Sequence, residues 1–288
     1  MRRPDGMQGM RVGVVGCGLM GSGIAEVCAR AGQDVLVVES DLPRVRAGHA
    51  RLVASLEKAE ARGKIESAEE VLERVAVIAD LDALADRELV IEAIVEDEAL
   101  KTGLFTRLDS VVTAADAILA SNTSSIPVTR LAAATGRPSQ VIGLHFFNPV
   151  PVLSLVEIVP GLGTSDETVE RTRAFAEEVL GKHAVRSPDR AGFVVNALLI
   201  PFVLSAVRML ESGFATAEDI DEAMVRGAAH PQGPLRLADL IGLDTTAAVA
   251  RSLYEEFREP LFAPPPLLRR MVEAGQLGRK SGQGFYTY

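Results

Sequence analysis

The sequence contains no apolar run long enough to span a membrane, no block of basic residues and little cysteine. Its longest apolar run, FVVNALLIPFVLSAV at 193–207, includes Asn196 and Pro201 and is shorter than the roughly 20 residues that a bilayer needs. We therefore expect a buried helix there and no membrane partner. The net charge of −9 without a basic block argues against a nucleic-acid partner. The first ten residues hold two arginines but no apolar stretch, so no secretory signal is expected.

Only two cysteines are present, Cys17 and Cys28, and they lie on one predicted loop–helix segment. The helical rise places them roughly 16 Å apart, which is too far for a disulfide bond. Nothing else in the sequence indicates an oxidising compartment, so a reducing cytoplasm is the expected location.

Strand and helix patterns alternate through the first two thirds of the chain. Short apolar runs predict strands, and segments with apolar residues at helical spacing lie between them. The predicted strands cover 11–16, 34–40, 75–79, 88–94, 117–121 and 140–144, with 154–159 and 183–187 as additional edge strands. This alternation predicts an α/β fold in which a Rossmann-type, doubly wound sheet has helices on both faces.

The pattern changes near SPDRAG at 187–192, where proline, charge and glycine mark a boundary. Beyond it the sequence has helical character and no strand pattern before the end, with predicted helices at 193–212, 216–228, 244–257 and 264–274. The chain of 288 residues is long enough for two cores. We predict an α/β domain at 1–187 and an all-α domain at 188–288.

A glycine-rich loop, GCGLMG at 16–21, directly follows the first predicted strand and opens a helix. In the G-x-G-x-x-G pattern the first glycine permits a tight turn, the second lets backbone approach a pyrophosphate, and the third lets the helix pack closely. Glu39 ends the second strand, where a carboxylate accepts hydrogen bonds from a ribose diol and repels a 2′-phosphate. We predict an NAD site rather than an NADP site; a glycine-rich turn without a ligand is the alternative. The predicted loop contacts are Gly16, Gly18, Leu19, Met20 and Gly21.

The stretch VIGLHFFNPVPVLSLVEIVP at 141–160 is nearly all apolar but contains His145 and Glu157. His145 follows a strand at the carboxyl edge of the sheet, where ligands bind in open α/β folds. Pro149 and Pro151 predict a turn that brings the chain back, so Glu157 can lie beside His145. A histidine oriented by a carboxylate suits the general base that alcohol oxidation by hydride transfer requires. The alternative is a buried structural histidine held by a glutamate.

Two further polar residues are candidates for contacts with a substrate oxygen. Ser124 follows another predicted strand at the same edge, and its alternative role is to cap the next helix. Asn196 lies in an otherwise apolar helix, where a buried amide needs partners that interhelical packing could also supply.

Together these motifs resemble those of the L-3-hydroxyacyl-CoA dehydrogenase family, and most closely its short, monofunctional 3-hydroxybutyryl-CoA members. The resemblance extends from about residue 10 to the end and includes VVGCGLMGSGIA, LVIEAIVED, ASNTSSIPVT, IGLHFFNPV, GFVVN, HPQGPLRLADLIGLDT and GRKSGQGFYTY. It implies reversible, NAD-dependent oxidation of an (S)-3-hydroxyacyl-CoA to the 3-oxoacyl-CoA. It also implies a homodimer formed through the helical domain and an active site in the cleft between the domains. Acyl chain length and the pathway within fatty acid metabolism stay open.

The resemblance also implies residue roles. His145 is the base and Glu157 its partner. Ser124 and Asn196 hold the substrate's 3-oxygen. Cofactor-lining positions implied by the family are Glu96, Lys101 and Asn148, and coenzyme A contacts on the long second helix fall on Ser55 and Arg62. The family often has proline where this chain has Ala191, a small change in loop stiffness.

Two other functions are compatible with the same fold. A relative acting on a different 3-hydroxy acid, such as L-gulonate, usually has proline where this chain has Phe146, and the phenylalanine therefore favours the thioester. A structural protein that only binds NAD is the second alternative, and the intact pair of His145 and Glu157 argues against it.

Overall fold

The computed structural model of the chain describes residues 9–288. The expectation about a secretory signal in the first ten residues therefore falls almost wholly outside the described part. The chain divides into two compact units, with the division between Asp189 and Arg190. The boundary predicted from the sequence, between residues 187 and 188, lies two residues earlier.

Within residues 9–189, the first unit is built on a sheet of eight strands in the order β3-β2-β1-β4-β5-β6-β7-β8. The strands are β1 (Arg11–Val15), β2 (Asp34–Val38), β3 (Val75–Ile78), β4 (Leu89–Glu92), β5 (Ile118–Ser121), β6 (Val141–Phe146), β7 (Leu155–Pro160) and β8 (His183–Arg186). β1 to β6 run parallel, β7 is antiparallel to β6, and β8 is parallel to β7. The chain starts in mid-sheet, builds one edge and then returns to build the other. This is the doubly wound α/β fold that the sequence predicts, and β7 and β8 confirm the two predicted edge strands.

Helices cover the sheet. Those of the first unit, within the described residues, are α1 (Leu19–Arg30), α2 (Leu42–Ala61), α3 (Ala68–Leu72), α4 (Glu98–Val111), α5 (Val128–Ala133) and α6 (Asp166–Ala174). α2 begins where the sequence predicts, since the Asp41 carboxylate accepts a hydrogen bond from the Arg44 amide at 2.9 Å and Pro43 lies in the first turn. Leu52 and Leu56 are fully buried, whereas most of the other α2 side chains are exposed or half-buried.

The core of the first unit lies between the sheet and its helices. Val12, Val14, Ile91 and Leu144, from three strands, are completely buried. Parallel strands covered on both faces need such near-continuous apolar runs. Each fully buried side chain of this size stabilises the fold by about 1.5–3 kcal/mol.

Within residues 190–288, the second unit is helical: α7 (Val195–Glu211), α8 (Ala217–Ala228), α9 (Pro234–Ile241), α10 (Leu243–Phe257) and α11 (Pro266–Glu273). Its core includes the buried side chains of Val203, Leu204, Leu235 and Leu253. The sequence predicts four of these helices. It misses α9, a short helix between Gly233 and Gly242, because two glycines and a proline in this segment resemble a loop.

Buried carboxylates hold the C-terminal segment against the second unit. Asp239 accepts hydrogen bonds from the amides of Phe285 and Tyr286 at 2.9 and 3.0 Å, and from the Tyr288 hydroxyl at 3.0 Å. Asp221 accepts a further bond from the Tyr286 hydroxyl at 2.9 Å. The last residues are therefore part of the packed unit.

Within residues 9–288, no helix is both long enough and apolar enough to cross a membrane. In the same residues, no group of three or more histidine, cysteine, aspartate or glutamate side chains is arranged to hold a metal ion. Cys17 and Cys28 are buried free thiols, and burial raises their pKa values to about 11 and about 12.

Candidate active site and dinucleotide cleft

The glycine-rich loop has the backbone conformation that its residue pattern predicts. Gly16 has φ +93°, and a Cβ there would lie 2.8 Å from the carbonyl oxygen of Ala93. A Cβ on Gly21 would lie only 1.9 Å from the Gly16 carbonyl oxygen, so α1 packs directly against the loop. At Gly18, by contrast, a Cβ would meet nothing within 4 Å. The loop is closed where it packs on the sheet and open where a pyrophosphate would approach.

The start of α1 can receive an anion. The helix begins after Gly18 without a capping side chain, so the amide groups of its first turn have no side-chain partner. Such amides, together with the helix dipole, favour phosphate oxygens.

Glu39 lies at the carboxyl end of β2 and holds the loop from the side. Its Oε1 accepts a hydrogen bond from the Cys17 amide at 2.6 Å, and its Oε2 accepts one from the Ser40 amide at 3.2 Å. Arg51, on α2, donates to the Cys17 carbonyl oxygen at 2.5 Å. The carboxylate is therefore fixed beside the loop, at the place where a ribose diol is recognised in this fold.

A cavity of about 810 Å³ lies over these elements. Its lining includes five of the predicted cofactor contacts, namely Gly16, Gly18, Leu19, Met20 and Glu39. Gly21 lies beneath the loop and does not line it, and neither do Glu96, Lys101 and Asn148. The size, the open backbone at Gly18 and the acid at the end of β2 fit the adenosine diphosphate portion of NAD.

His145 and Glu157 come together through strand register. They are direct partners in the antiparallel pair β6–β7, so their side chains lie on the same face of the sheet. His145 Nδ1 and Glu157 Oε2 are 2.7 Å apart, and both side chains are buried. In the intervening turn, Asn148 and Val152 are exposed, whereas Val150, between Pro149 and Pro151, is buried. The pairing register of β6 and β7 thus brings together two residues that are twelve positions apart in the chain.

Ser124 contacts the other ring nitrogen of His145. Its Oγ is 3.0 Å from His145 Nε2, which gives a continuous row of Ser124, His145 and Glu157. Ser124 does not cap α5. Asp189 caps α5 instead. Its carboxylate accepts hydrogen bonds from the amides of Val128 and Thr129, both at 2.8 Å.

Glu96 orders the turn that carries Ser124. One carboxylate oxygen of Glu96 accepts bonds from the Thr123 hydroxyl at 2.6 Å and from the amides of Ser124 and Ser125 at 2.9 and 3.1 Å. Burial alone would raise the pKa of Glu96, but the charge of Lys101 and these hydrogen bonds bring it below its usual range. Glu96 therefore acts on the backbone of the turn as an anion.

Lys101 joins Glu96 to a second carboxylate that the sequence did not single out. Lys101 is 1% exposed, and its Nζ lies 2.6 Å from Glu92 Oε1 and 3.2 Å from Glu96 Oε2. Glu92, at the end of β4, is 0% exposed and also accepts a bond from the Ser121 hydroxyl at 2.6 Å. The Lys101 ammonium thus contacts both Glu92 and Glu96 and compensates the charges of their carboxylates. Asn122 is another missed residue, and its side-chain oxygen accepts the Phe146 amide at 2.8 Å.

Two further predicted site residues are Asn148 and Asn196. Asn148 is exposed after β6, where its peptide bond to Pro149 is cis. Asn196 is half-buried in the first turn of α7, in the second unit. Their predicted contacts with cofactor and substrate stay predictions.

Ser55 and Arg62 lie on α2 and at its end. The Ser55 hydroxyl donates to Glu26 at 2.6 Å, and Arg62 is exposed. Near the same end of α2 is a cavity of about 600 Å³ whose lining includes Arg30, Lys64 and Lys182, but neither Ser55 nor Arg62. Burial and the charge of Arg30 lower the pKa of Lys182.

These features define a class of protein: a dinucleotide-binding α/β protein with a histidine, paired to a glutamate, at the carboxyl edge of its sheet. The family model of the NAD binding domain of 3-hydroxyacyl-CoA dehydrogenase matches residues 11–190, and the model of its C-terminal domain matches residues 192–288.

Individual relatives agree with the family models. A 3-hydroxybutyryl-CoA dehydrogenase of Mycobacterium tuberculosis is 60% identical over 280 residues, which cover 96% of this chain and 98% of the relative. The crystal structure of FadB2 from Mycobacterium tuberculosis superimposes with a TM-score of 0.96 at 59% identity, covering 98% and 99% of the two chains. That of the (S)-3-hydroxybutyryl-CoA dehydrogenase PaaH1 from Ralstonia eutropha gives 0.90 at 44% identity, covering 96% and 98%. The chain belongs to the 3-hydroxyacyl-CoA dehydrogenase family and is an NAD-dependent oxidoreductase.

Proposed function

We propose that this enzyme catalyses the reversible oxidation of an (S)-3-hydroxyacyl-CoA, with 3-hydroxybutyryl-CoA as the favoured substrate, to the 3-oxoacyl-CoA. The observation that carries the proposal is the row of Ser124, His145 and Glu157 on the sheet edge that also holds the dinucleotide loop. The similarity to relatives named 3-hydroxybutyryl-CoA dehydrogenase supports the choice of acyl group.

The row has the polarity that a general base needs. With its Nδ1–H donated to Glu157, His145 presents the lone pair of Nε2 on the side of Ser124. In the oxidation direction, Nε2 takes the proton of the substrate hydroxyl, and the Ser124 hydroxyl donates to the same substrate oxygen. Bound NAD supplies the acceptor for the hydride. In the reduction direction, the imidazolium returns the proton.

Glu157 stabilises the charged form of the base and fixes its tautomer. A buried carboxylate next to Nδ1 favours the imidazolium that forms as the hydroxyl proton is taken. Asn196 is proposed as the second ligand of the 3-oxygen. Asn148, Glu96 and Lys101 are proposed to order the nicotinamide end of the site, the last two through the turn at residues 123–125.

The coenzyme A portion is proposed to lie along the far end of α1 and α2. Arg30, Lys64 and Lys182 line one cavity there, and such cations bind the phosphate groups of a ligand like coenzyme A. Arg62 is exposed nearby and can add its charge, whereas the Ser55 hydroxyl is already bound to Glu26.

A homodimer through the second unit is supported by exposed apolar side chains. Leu198 and Met209 lie eleven residues apart on one face of α7 and are 74% and 41% exposed, and Phe214, just after the helix, is 79% exposed. Such a stripe is typical of an interface. Light scattering should give twice the chain mass for the native enzyme and a monomer for Leu198→Asp; a monomeric native enzyme would contradict this.

A reducing cytoplasm is the proposed location. Both cysteines are free and buried, and neither is paired in a disulfide. This is the usual state of thiols in a reducing compartment.

The substrate assignment is tested by following NADH absorbance with purified enzyme. Acetoacetyl-CoA should be reduced rapidly, and NAD should be reduced with (S)-3-hydroxybutyryl-CoA but not with its (R) enantiomer. L-gulonate should support no comparable rate. Turnover of L-gulonate without turnover of the thioester would replace the proposal with a different 3-hydroxy acid as substrate. Cofactor binding without turnover of either compound would favour a non-catalytic NAD-binding protein.

A further inference from the structure

The strand β6 extends past the end of its neighbour β5, and its last residues include His145. β5 ends at Ser121, which pairs with Gly143, whereas β6 continues to Phe146. On the other side, β6 stays paired with β7 as far as Phe146 and Val156. Within the described sheet, the end of β6 is thus paired with a strand on the β7 side and not on the β5 side.

The side chain of Asn122, the residue after β5, takes the place of a strand partner for the end of β6. Its Oδ1 accepts a hydrogen bond from the Phe146 amide at 2.8 Å, and its own amide donates to the Glu92 carbonyl oxygen at 2.8 Å. Asn122 is 9% exposed and Phe146 is 1% exposed, and a buried backbone amide needs such a partner. Asn122 therefore links the end of β4, through Glu92, to the end of β6.

Both groups of the contact between Ser124 and His145 are attached to this link. Ser124 lies two residues after Asn122 in the chain, and His145 is joined by one peptide bond to Phe146. Ser124 Oγ and His145 Nε2 are 3.0 Å apart. Glu157 holds the other ring nitrogen from β7, so it does not set the distance between His145 and the turn after β5.

We propose that Asn122 is a positioning residue for proton transfer: by accepting the Phe146 amide, it sets the distance between the Ser124 hydroxyl and the His145 imidazole. The proposal rests on the proposed roles of Ser124 and His145 and deepens them. Both groups must face one substrate oxygen, and a displacement of about 1 Å in such an arrangement lowers a rate by up to about 100-fold.

Gln33 makes the same kind of bond at the opposite edge of the sheet and is the matched control. Its Oε1 accepts a hydrogen bond from the Met10 amide at 2.8 Å, and Gln33 is 1% exposed. The two residues precede β2 and β1, so the bond lies at the amino ends of these strands. Loss of either side-chain acceptor leaves a backbone amide without its partner and should lower Tm. Only the loss at Asn122 should also change the chemistry.

The first experiment measures kcat for acetoacetyl-CoA reduction, KM for the thioester and the NADH dissociation constant, all on the complete chain. Asn122→Ala should lower kcat about 30- to 100-fold, with KM and NADH affinity within about threefold of native. Asn122→Asp keeps an acceptor oxygen and should bring kcat back to within about fivefold of native. Gln33→Ala should lower Tm and keep the native kcat. A native kcat in Asn122→Ala would overturn the proposal.

A double-mutant cycle shows whether Asn122 acts through the contact of Ser124 with His145. Ser124→Ala removes the hydroxyl whose position Asn122 sets, so adding Asn122→Ala should then lower kcat by no more than about threefold further. Full multiplication of the two separate losses would mean that Asn122 acts elsewhere, and it would also overturn the proposal. If Asn122→Ala does not fold, Asn122→Leu, which has a similar volume and no acceptor, replaces it in both experiments.

A failure of the proposed function is recognised separately, because the native enzyme itself would then not reduce acetoacetyl-CoA. In that case the nitrogen NMR signals of the His145 ring, assigned with His145→Gln, test the positioning role without substrate. These signals must shift in Asn122→Ala and stay in place in Gln33→Ala. Unchanged signals in Asn122→Ala would reject the role of Asn122.

Discussion

At the scale of single residues, the buried carboxylate of Glu157, beside the proposed base His145, has the clearest chemical consequence. Glu157 is 0% exposed and lies 2.7 Å from His145 Nδ1. A carboxylate without contact with solvent is costly unless it is paired, and the imidazole is the partner that strand register provides. Glu157 therefore forms one buried pair with His145, the proposed base.

We expect Glu157→Gln to lower kcat by about 10²- to 10⁴-fold with little change in NADH affinity, because the amide cannot stabilise an imidazolium. The measurement is steady-state reduction of acetoacetyl-CoA, with NADH binding determined on the same preparation. Glu57→Gln, at an exposed glutamate of α2, is the matched control and should behave like the native enzyme. Activity near the native level in Glu157→Gln would exclude the pairing from the mechanism.

Glu96 gives a prediction for acid solution. Its pKa is depressed in the folded protein by Lys101 and by the hydrogen bonds from the turn, in spite of burial. A carboxyl group whose pKa is lower in the folded than in the unfolded state stabilises the fold. The stabilisation is complete at pH values above the pKa of the unfolded state, about 4.3, and it disappears as the pH falls through the lower pKa of the folded state.

Thermal melts between pH 6 and pH 3 should therefore show a smaller acid-induced decrease in Tm for Glu96→Gln than for the native chain. The other carboxyl groups titrate in both proteins, so only the difference between the two curves reports on Glu96. Parallel curves would mean that the turn at residues 123–125 does not depend on the charge of Glu96.

At the scale of elements, the contact between the first loop and α1 depends on the lack of a side chain at Gly21. A Cβ there would lie 1.9 Å from the Gly16 carbonyl oxygen. We expect Gly21→Ala to lower the free energy of unfolding by about 1–3 kcal/mol or more, because an added atom in a closely packed contact forces the backbone to shift. The same shift should weaken NADH binding.

Gly103 in α4 is the matched control for Gly21. A Cβ at this position meets nothing within 4 Å, so Gly103→Ala should raise the free energy of unfolding by about 0.5–1 kcal/mol through its helix propensity. Urea unfolding measures both variants. Equal effects of the two substitutions would show that the close contact at Gly21 is not a constraint in solution.

A cluster of three charged side chains links β4 to α4: the Lys101 ammonium compensates the carboxylates of Glu92 and Glu96. Lys101→Met leaves Glu92 buried without a cation and should destabilise the protein by about 3–5 kcal/mol. Arg130→Met removes an exposed pair with Glu98, and should cost about 0–1 kcal/mol. Urea unfolding separates these values, and a loss at Lys101 as small as that at Arg130 would contradict the account of the cluster.

At the scale of the whole molecule, the elements that follow strict periodicities could be predicted from the sequence. The eight strands are short apolar runs, and the helices between most of the first six strands predict that these strands run parallel. The dinucleotide loop could be predicted because its spacing reflects backbone conformation, which Gly16 and Gly21 impose locally. The pairing of His145 with Glu157 could also be anticipated, since a turn between two strands limits which residues can face each other.

Other parts of the site depend on contacts that no local pattern reports. Glu92 stands in an apolar strand, and its partner Lys101 lies one turn into the next helix; their contact depends on how α4 packs on the sheet. Asp189 lies in a segment that reads as a linker, yet it caps α5, sixty residues earlier in the chain. α9 was missed because its flanking glycines and proline are also turn formers. Long-range packing, and not propensity, decides each of these cases.

The proton-transfer role of His145 is tested most directly by single-turnover kinetics of His145→Gln. Enzyme loaded with NADH is mixed with acetoacetyl-CoA, NADH loss is followed, and the NADH dissociation constant is measured on the same sample. His183→Gln, at an exposed histidine of β8, is the control. The account predicts a turnover at least about 10³-fold slower for His145→Gln with unchanged NADH affinity, and native behaviour for the control. A turnover within about tenfold of native would contradict it.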